Sequence, residues 1–442
     1  MDKARFAIGA AGLTAALLAT TAGAQAQTTL TIATVNNGDM VVMQKLSSAF
    51  EEQHPDIKLD WVVLEENVLR QRVTTDIATK GGQFDVMTIG TYETPIWAKQ
   101  GWLVPFDNLP EGYAVDDILK PVREALTYEG KLYALPFYAE SSMLFYRKDL
   151  FKEAGIEVPD QPKWDEVKGW ADKLNKPGEE QYGICLRGKP GWGENMAFVT
   201  TLANTFGGRL FNEQWEPQLD SDAWKKAVTF YVDLLKEDGP PGASSNGFNE
   251  NLALFSTGKC AMWVDATVAA GLLSNPANSQ VADEVGFAKA PIASWPKGAN
   301  WLWAWSLGVP ATSDSVDAAK TFVEWATSKD YIKLVADKEG WVAAPPGTRE
   351  STYASQDYMK AAPFAEETLA AIQSADPVNT TEEPKPYSGV QYAGIPEFQG
   401  IGTMVGQMIA AALTGQMSVD QALQSAQSST ERTMRQAGYF DK

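Results

Sequence analysis

TLTIAT at residues 29–34 begins the pattern that decides the fold, because it is a short β-branched run followed by a turn and then a helical period. Residues 40–52 predict a helix, IKLDWVV at 57–63 a second strand, residues 68–80 a second helix, and FDVMTI at 84–89 a third strand. Strand-like runs alternate with helical patterns along the rest of the chain. This alternation predicts an α/β protein built on mostly parallel sheets.

Polar loops follow the three predicted strands at residues 36–39, 65–67 and 90–93. In open α/β sheets, ligands bind beyond the carboxyl ends of the strands. The topology therefore marks these loops as candidate ligand contacts. Each loop is also explained by an ordinary polar turn or helix cap, and topology alone leaves both interpretations open.

The first 26 residues are typical of a secretory signal peptide. Lys3 and Arg5 give a basic start, residues 6–22 are apolar and uncharged, and AQA at 24–26 supplies a cleavage site. We expect a mature chain from Gln27 that is soluble in the periplasm. The alternative is an N-terminal membrane anchor, which the short run and the adjacent cleavage site disfavour. No later run approaches the length of a spanning helix, so direct membrane insertion is not expected.

The composition excludes several function classes. The chain has 37 basic and 56 acidic side chains, a net charge of −19, which disfavours binding to nucleic acid. Its one histidine, His54, and its two cysteines are too few for a usual zinc site, and no G-x-S-x-G elbow accompanies them. We expect neither a metal nor a cofactor.

The two cysteines, Cys185 and Cys260, have two interpretations. In an oxidising compartment they form one disulfide, which would stabilise the fold by about 4 kcal/mol in the chain-entropy model. Alternatively, they are two buried thiols. Sequence spacing does not show whether their Cα atoms lie within bonding reach, so both interpretations stay open.

Aromatic residues are candidate ligand contacts because the chain has 15 tryptophans, several of them near glycine. In an extended segment, Trp301, Trp303 and Trp305 share one face, which makes either a thick core or a wall for the C–H face of a sugar or polyol. Trp305 fits the core best. Trp192, between two glycines, is a further aromatic candidate.

Four charged residues are the polar candidates: Glu140, Arg187, Asp265 and Arg349. Glu140 and Asp265 end apolar runs, where a buried carboxylate needs a partner. A ligand hydroxyl is one such partner. A structural salt bridge or a helix cap is the alternative for each.

Six stretches together resemble the family 1 extracellular solute-binding proteins, the maltose-binding class. They are GKLYALP at 130–136, MLFYRKDLF at 143–151, AGIEVP at 154–159, WDE at 164–166, FSTGKCAM at 255–262 and GQMSVDQAL at 415–423. The resemblance covers essentially the whole mature chain. Within the family, RGKPGWGENM at 187–196 is similar to the branch that binds sorbitol and mannitol.

The resemblance implies two α/β lobes with a ligand cleft between them. One lobe comprises residues 27–138 plus 296–343, and the other residues 139–295 plus 344–442. By position in the family pattern, by topology for Glu65 and by the branch match, the expected ligand contacts are Asn36, Glu65, Thr91, Tyr92, Glu140, Arg187, Trp192, Trp263, Asp265, Trp301, Trp303 and Arg349.

The expected function is capture of a small polyhydroxylated ligand, a sugar alcohol, by a monomer that delivers it to the permease of an ABC importer. One rival is the same fold binding a mono- or oligosaccharide. The other is a secreted glycosidase, which needs two carboxylates flanking the scissile bond. Glu140 and Asp265 are the pair that this rival requires.

Overall fold

The computed structural model describes residues 27–441, so the predicted signal peptide lies outside the described residues. The strands are β1 Thr28–Val35, β2 Ile57–Leu64, β3 Val86–Ile89, β4 Thr127–Tyr128, β5 Lys131–Leu132, β6 Leu135–Glu140, β7 Ser142–Arg147, β8 Met262–Ala266, β9 Val285–Lys289 and β10 Trp303–Gly308. The first nine helices are α1 Gly38–Lys45, α2 Ser47–Gln53, α3 Glu66–Thr79, α4 Glu93–Lys99, α5 Lys120–Ala125, α6 Lys148–Ala154, α7 Trp164–Leu174, α8 Asn195–Thr205 and α9 Asp222–Asp238. The others are α10 Phe248–Ser256, α11 Ala269–Ser274, α12 Val316–Ala326, α13 Lys329–Glu339, α14 Glu350–Ala354, α15 Gln356–Ala361, α16 Ala365–Ser374, α17 Phe398–Leu413 and α18 Val419–Gln436.

The first sheet has the strand order β2-β1-β3-β10-β6. β1 is parallel to both β2 and β3, as the β-α-β-α-β pattern predicts. β10 runs antiparallel between β3 and β6, since the chain re-enters this sheet from the other lobe rather than through a helical crossover. The carboxyl ends of β1, β3 and β6 therefore meet at one edge of the sheet.

The second sheet has the order β8-β7-β9 and differs from the mostly parallel sheet predicted for this lobe. β7 runs antiparallel to both neighbours. Only Ser141 separates β6 from β7, so the chain passes directly from the first sheet into the second. The segment 182–186, which lies beside this sheet, makes only isolated parallel bridges, from Tyr182 to Cys260 and from Cys185 to Trp263.

Helix boundaries follow the apolar periodicity in most cases. In α7 the buried residues Trp164, Val167, Ala171 and Leu174 recur at helical spacing and form one stripe. The helix predicted at 40–52 is instead two helices, α1 and α2. The break is at Leu46, whose ψ of 3° leaves the helical region, while the Ser47 hydroxyl donates to two carbonyls of α1.

Buried apolar side chains form one continuous cluster through both lobes. Trp263 is completely buried in it, with ring centroids 5.4 Å from Phe145 and 5.6 Å from Phe248. Burying a side chain of this size contributes roughly 3 kcal/mol. None of the helices between residues 27 and 441 combines the length and the apolar character needed to cross a bilayer.

The cysteines form a disulfide, with Cα atoms 5.9 Å apart, which resolves the two interpretations left open by the sequence. Arg187 lies two residues beyond Cys185 and Trp263 three beyond Cys260. The bridge therefore ties the segment carrying Arg187 to β8.

The lobe boundaries stay a prediction, but three observations describe the segments that cross between the two lobes. β6 belongs to the first sheet through Glu140. The Ser142 hydroxyl donates to the carbonyl of Ala299, and the amide of Ala139 donates to the carbonyl of Pro346. Three chain segments thus run side by side between the sheets.

Candidate ligand-binding site

A small cavity, with about 30 Å³ open to the centres of water-sized molecules, lies between the two lobes, beyond the carboxyl ends of the strands of the first sheet. The side chains that line it are almost wholly buried, so the lobes are closed over it. The lining residues are Asn37, Glu66, Arg70, Glu140, Arg187, Trp192, Gly193, Ala197, Phe248, Val268, Trp301, Trp303, Trp305 and Gln391.

Indole rings form one side of the cavity. Trp303 and Trp305 project from the same face of β10, with ring centroids 5.3 Å apart, and Trp192 meets Trp303 edge-on at 5.7 Å. Gly90 makes room for this arrangement, because a Cβ at that position would collide with the Trp303 ring. The buried indole N–H groups of Trp192, Trp301 and Trp303 have no acceptor among residues 27–441.

Arg70 stacks on this aromatic side and is a residue that the sequence analysis missed. Its guanidinium carbon lies 4.1 Å from the Trp192 ring centroid and 4.6 Å from that of Trp303. Such cation–π contacts strengthen when water is excluded. Arg70 also donates to Glu66 and Glu93 within α3 and α4. Burial raises the pKa of Glu93, although the Arg70 charge opposes that shift.

Arg187 and Asp265 form a buried ion pair beside the cavity. Arg187 donates from Nε to Asp265 at 2.9 Å and from a terminal nitrogen at 2.7 Å, while its other terminal nitrogen donates to the carbonyl of Gly193 at 2.9 Å. Burial disfavours the charged form, but Asp265 raises the pKa of Arg187 above its usual value. A guanidinium has five N–H donors; three are used in these hydrogen bonds, and a terminal nitrogen also lies 3.6 Å from the buried carboxylate of Glu194.

Glu140 ends β6 and faces the cavity with its carboxylate unpaired. The residue is 6% exposed, yet no protein donor hydrogen-bonds to its carboxylate within residues 27–441. Burial raises its pKa well above the usual carboxylate range, and the Arg187 charge only partly offsets this effect. A buried carboxylate without donors is unfavourable, and hydroxyl groups of a ligand in the cavity would be suitable donors to Glu140.

Five of the predicted contacts line the cavity: Glu140, Arg187, Trp192, Trp301 and Trp303. Asp265 does not line the cavity but holds Arg187, which does. Its oxygens accept hydrogen bonds from Arg187, the Trp263 indole and the amide of Ala266. Trp263 is a core residue. Asp265 is therefore not a free carboxylate facing Glu140, which is the arrangement that the glycosidase rival requires.

Two loop residues are displaced from the positions that the sequence suggests. Asn36 is exposed, and its neighbour Asn37 faces the cavity instead, because successive side chains at the end of β1 point to opposite sides. Glu65 caps α3 and pairs with Lys189 at 2.6 Å, outside the cavity lining. Lys189 lies on the other lobe, so this ion pair joins the closed lobes.

Thr91, Tyr92 and Arg349 also lie outside the cavity lining. Thr91 and Tyr92 stand behind the aromatic side, and Tyr92 packs on Trp192 at 4.7 Å between ring centroids. Arg349 packs against the first lobe, where its terminal nitrogens donate to the carbonyls of Tyr113 and Thr327. These backbone partners explain its burial without a ligand.

Several lining residues were not predicted because the sequence around each of them gives little indication of a ligand contact. Trp305 was assigned to the core, although it shares the face of Trp303. Glu66 and Arg70 form an i,i+4 pair at the start of a helix that follows a strand, which is a usable signal. Gln391 lies in an irregular segment, and its position depends wholly on tertiary structure.

The sequence model for bacterial extracellular solute-binding proteins matches residues 36–333 of the chain. A mannitol-binding protein of Pseudomonas aeruginosa is 60% identical over 427 residues, covering 97% of this chain and 98% of that protein. These matches extend over both lobes.

Two solved structures from agrobacteria resemble the fold. An ABC transporter solute-binding protein of Agrobacterium vitis S4, with bound D-mannitol, superposes with a TM-score of 0.92 and 63% identity, covering 93% of this chain and 99% of that one. Another, from Agrobacterium radiobacter K84 in complex with ribitol, has a TM-score of 0.81 and 26% identity, covering 92% and 99%.

Proposed function

The chain belongs to the bacterial extracellular solute-binding protein family, and we propose that it binds an acyclic hexitol of the mannitol type in the interlobe cavity. It acts in the periplasm after removal of residues 1–26 and delivers the hexitol to the permease of an ABC importer. The protein itself carries out no covalent chemistry in this function.

The observation that carries the proposal is the unpaired carboxylate of Glu140 in a closed cavity. An alditol has hydroxyl donors along its whole length and no charge of its own. Hydrogen bonds from hydroxyls to a carboxylate are charge-assisted and stronger than neutral ones. A hexitol therefore removes the cost of burying Glu140 and gains affinity from the same contact.

The rest of the lining complements the remaining groups of a polyol. The Arg187 guanidinium and the free indole N–H groups meet hydroxyl oxygens, and the unpaired side-chain oxygen of Gln391 accepts from a hydroxyl. The rings of Trp303 and Trp305 meet C–H groups. The mannitol-binding relatives at 60% and 63% identity support a hexitol as the ligand.

Both lobes contribute side chains to the lining of the cavity, and this explains how the protein captures its ligand. Asn37 and Trp303 belong to the first lobe, while Arg187 and Phe248 belong to the second. A ligand that contacts both lobes binds the closed form better than the open form, so it shifts the population toward closure. The closed form then presents both outer faces to the permease.

Titration calorimetry of residues 27–442 with D-mannitol, D-sorbitol, D-arabitol and maltose tests this function. We expect binding of the alditols and none of maltose. Glu140→Gln keeps the side-chain shape but removes the charge, and we expect mannitol affinity to fall by about 10- to 100-fold. Glu153→Gln on the exposed face of α6 is the matched control and should bind like the wild type. Absence of alditol binding, or full affinity in Glu140→Gln, contradicts the proposal.

A further inference from the structure

A second, larger groove of about 600 Å³ lies next to the ligand cavity, also between the lobes. Ile96, Pro121 and Tyr128 line it on one side, and Pro377, Val390 and Tyr392 on the other. Its lining combines apolar side chains with polar ones such as Gln100, Thr127 and Ser388, a composition suited to a sugar ring.

One layer of aromatic side chains separates the two spaces. We define the end wall as Tyr92, Trp192 and Tyr392. The ring centroids of Tyr92 lie 4.7 Å from Trp192 and 5.4 Å from Tyr392, and Tyr392 lies 6.4 Å from Trp192. Trp192 faces the cavity, whereas Tyr92 and Tyr392 face the groove.

Hydrogen bonds fix the end wall in position. The Tyr92 hydroxyl donates to the carbonyl of Ile395 at 2.9 Å and accepts from the amide of Gln399 at 3.1 Å. The hydroxyls of Tyr392 and Thr91 are 3.2 Å apart and share a hydrogen bond. A ring that is packed on both faces and hydrogen-bonded at its tip cannot rotate away without losing these contacts.

The end wall is assembled from both lobes. Tyr92 follows β3 of the first lobe, while Trp192, Tyr392 and the partners of the Tyr92 hydroxyl come from the second. Closure of the lobes therefore completes the wall. A ligand whose end projects beyond the cavity would hold Tyr92 and Trp192 apart and prevent the closed state.

We propose that the end wall sets a chain-length limit, so that the protein selects free alditols and rejects alditols that carry a glycosyl unit on a terminal hydroxyl. The proposal rests on the hexitol function above and identifies Tyr92 and Tyr392 as specificity-determining residues. The groove behind the wall is the space that the glycosyl unit would occupy if the wall were opened. Rejection by a steric clash is an effective source of specificity.

The test compares D-mannitol with 1-O-α-D-glucopyranosyl-D-mannitol by titration calorimetry. Because the two ends of mannitol are equivalent, one glucosyl derivative represents both. We expect the wild type to bind mannitol and to bind the derivative at least ~100-fold more weakly, since a rigid wall excludes the extra ring. Tyr392→Ala should reduce the ratio of the dissociation constants of the glucosyl derivative and mannitol by roughly tenfold or more. Tyr92→Leu is a second variant that shortens the wall and keeps an apolar side chain.

Two controls separate the wall from general effects of substitution. Tyr392→Phe keeps the ring and removes only the hydroxyl, so the ratio should stay close to that of the wild type. Tyr128→Ala alters the groove away from the wall, and mannitol affinity should not change. Thermal melting identifies which variants are folded.

The outcomes distinguish this proposal from the proposed function. If the wild type binds both ligands equally, or if folded Tyr392→Ala and Tyr92→Leu bind mannitol with an unchanged ratio, the chain-length limit is overturned. If the wild type binds no alditol, the hexitol function itself has failed. The end wall is supported if the ratio of the two dissociation constants falls in Tyr392→Ala and Tyr92→Leu and stays unchanged in the two control variants.

Discussion

Arg187 and Arg349 are both buried, at 5% and 1% exposure, yet they lie in sites of different kinds. Arg187 pairs with Asp265, lies 3.6 Å from Glu194 and lines the ligand cavity. Arg349 donates to the carbonyls of Tyr113 and Thr327 and lies near Asp117, at 3.4 Å. Only its Nε lacks an acceptor in the described part of the chain, and the side chain lies outside the cavity lining.

The difference teaches that burial of a charge does not by itself mark a binding site. A structural arginine uses its donors on backbone carbonyls that would otherwise be unsatisfied. A ligand-binding arginine is held by a partner on one side, so that its remaining donors face an enclosed space. Asp265 provides that support for Arg187.

The largest expected effect comes from Arg187→Lys. Lysine keeps the charge beside Asp265 but lacks the planar fork, so it cannot hold the carboxylate and also donate into the cavity. We expect mannitol affinity to fall by about 100-fold, equivalent to about 2.7 kcal/mol, in calorimetric titrations. An unchanged dissociation constant would remove Arg187 from the site and break the comparison.

Arg349→Gln should give the opposite pattern. The substitution leaves the carbonyls of Tyr113 and Thr327 without their donor, which we expect to destabilise the fold by about 2 kcal/mol. Thermal melting should fall by a few degrees, while the dissociation constant for mannitol stays at the wild-type value. Weaker binding without a lower melting temperature would instead place Arg349 in the ligand site.

Asp39 extends the comparison to a buried carboxylate, with a smaller effect. Burial raises the pKa of Asp39 to about 7, and its own backbone N–H offsets this only partly. The folded state thus keeps a proton that the unfolded state loses near pH 4, so stability falls as the pH rises from about 4 to 7. Asp39 lines a space between the lobes, and opening of the lobes returns its carboxyl group to water. We therefore expect the loss of stability between pH 4 and pH 7 to be limited to about 1 kcal/mol.

Asp39→Asn should remove that pH dependence. Urea unfolding of the wild type and the variant at pH 5 and pH 8 measures the free energy of unfolding. We expect the variant to become more stable relative to the wild type at pH 8. Equal differences at both pH values would show that Asp39 is solvated in the folded protein.

The first lobe could be predicted well because its rules are local. β1, β2 and β3 and the intervening helices follow from apolar periodicity, and parallel pairing follows from the alternation. The family motifs then brought Glu140, Arg187 and Trp303 to one cavity. Each of these residues stands next to a recognisable strand end or loop pattern.

The rest could not be read from the sequence because it depends on contacts between distant segments. Whether Arg349 or Arg187 faces a ligand depends on which carbonyls and carboxylates surround it in three dimensions. The one-residue difference between Asn36 and Asn37 reverses the side of the strand, which no local propensity resolves. The antiparallel pairing of β7 with β8 and β9 joins segments that are distant in sequence, which periodicity alone does not show.

The aromatic side of the cavity has an optical consequence. Four of the chain's 15 tryptophans, Trp192, Trp301, Trp303 and Trp305, line the cavity, and three of them hold indole N–H groups without protein acceptors. Indole emission depends on the polarity and hydrogen bonding around the ring, so an arriving hydroxyl changes the light that these residues emit. We therefore expect the intrinsic fluorescence of the protein to report ligand binding without a label.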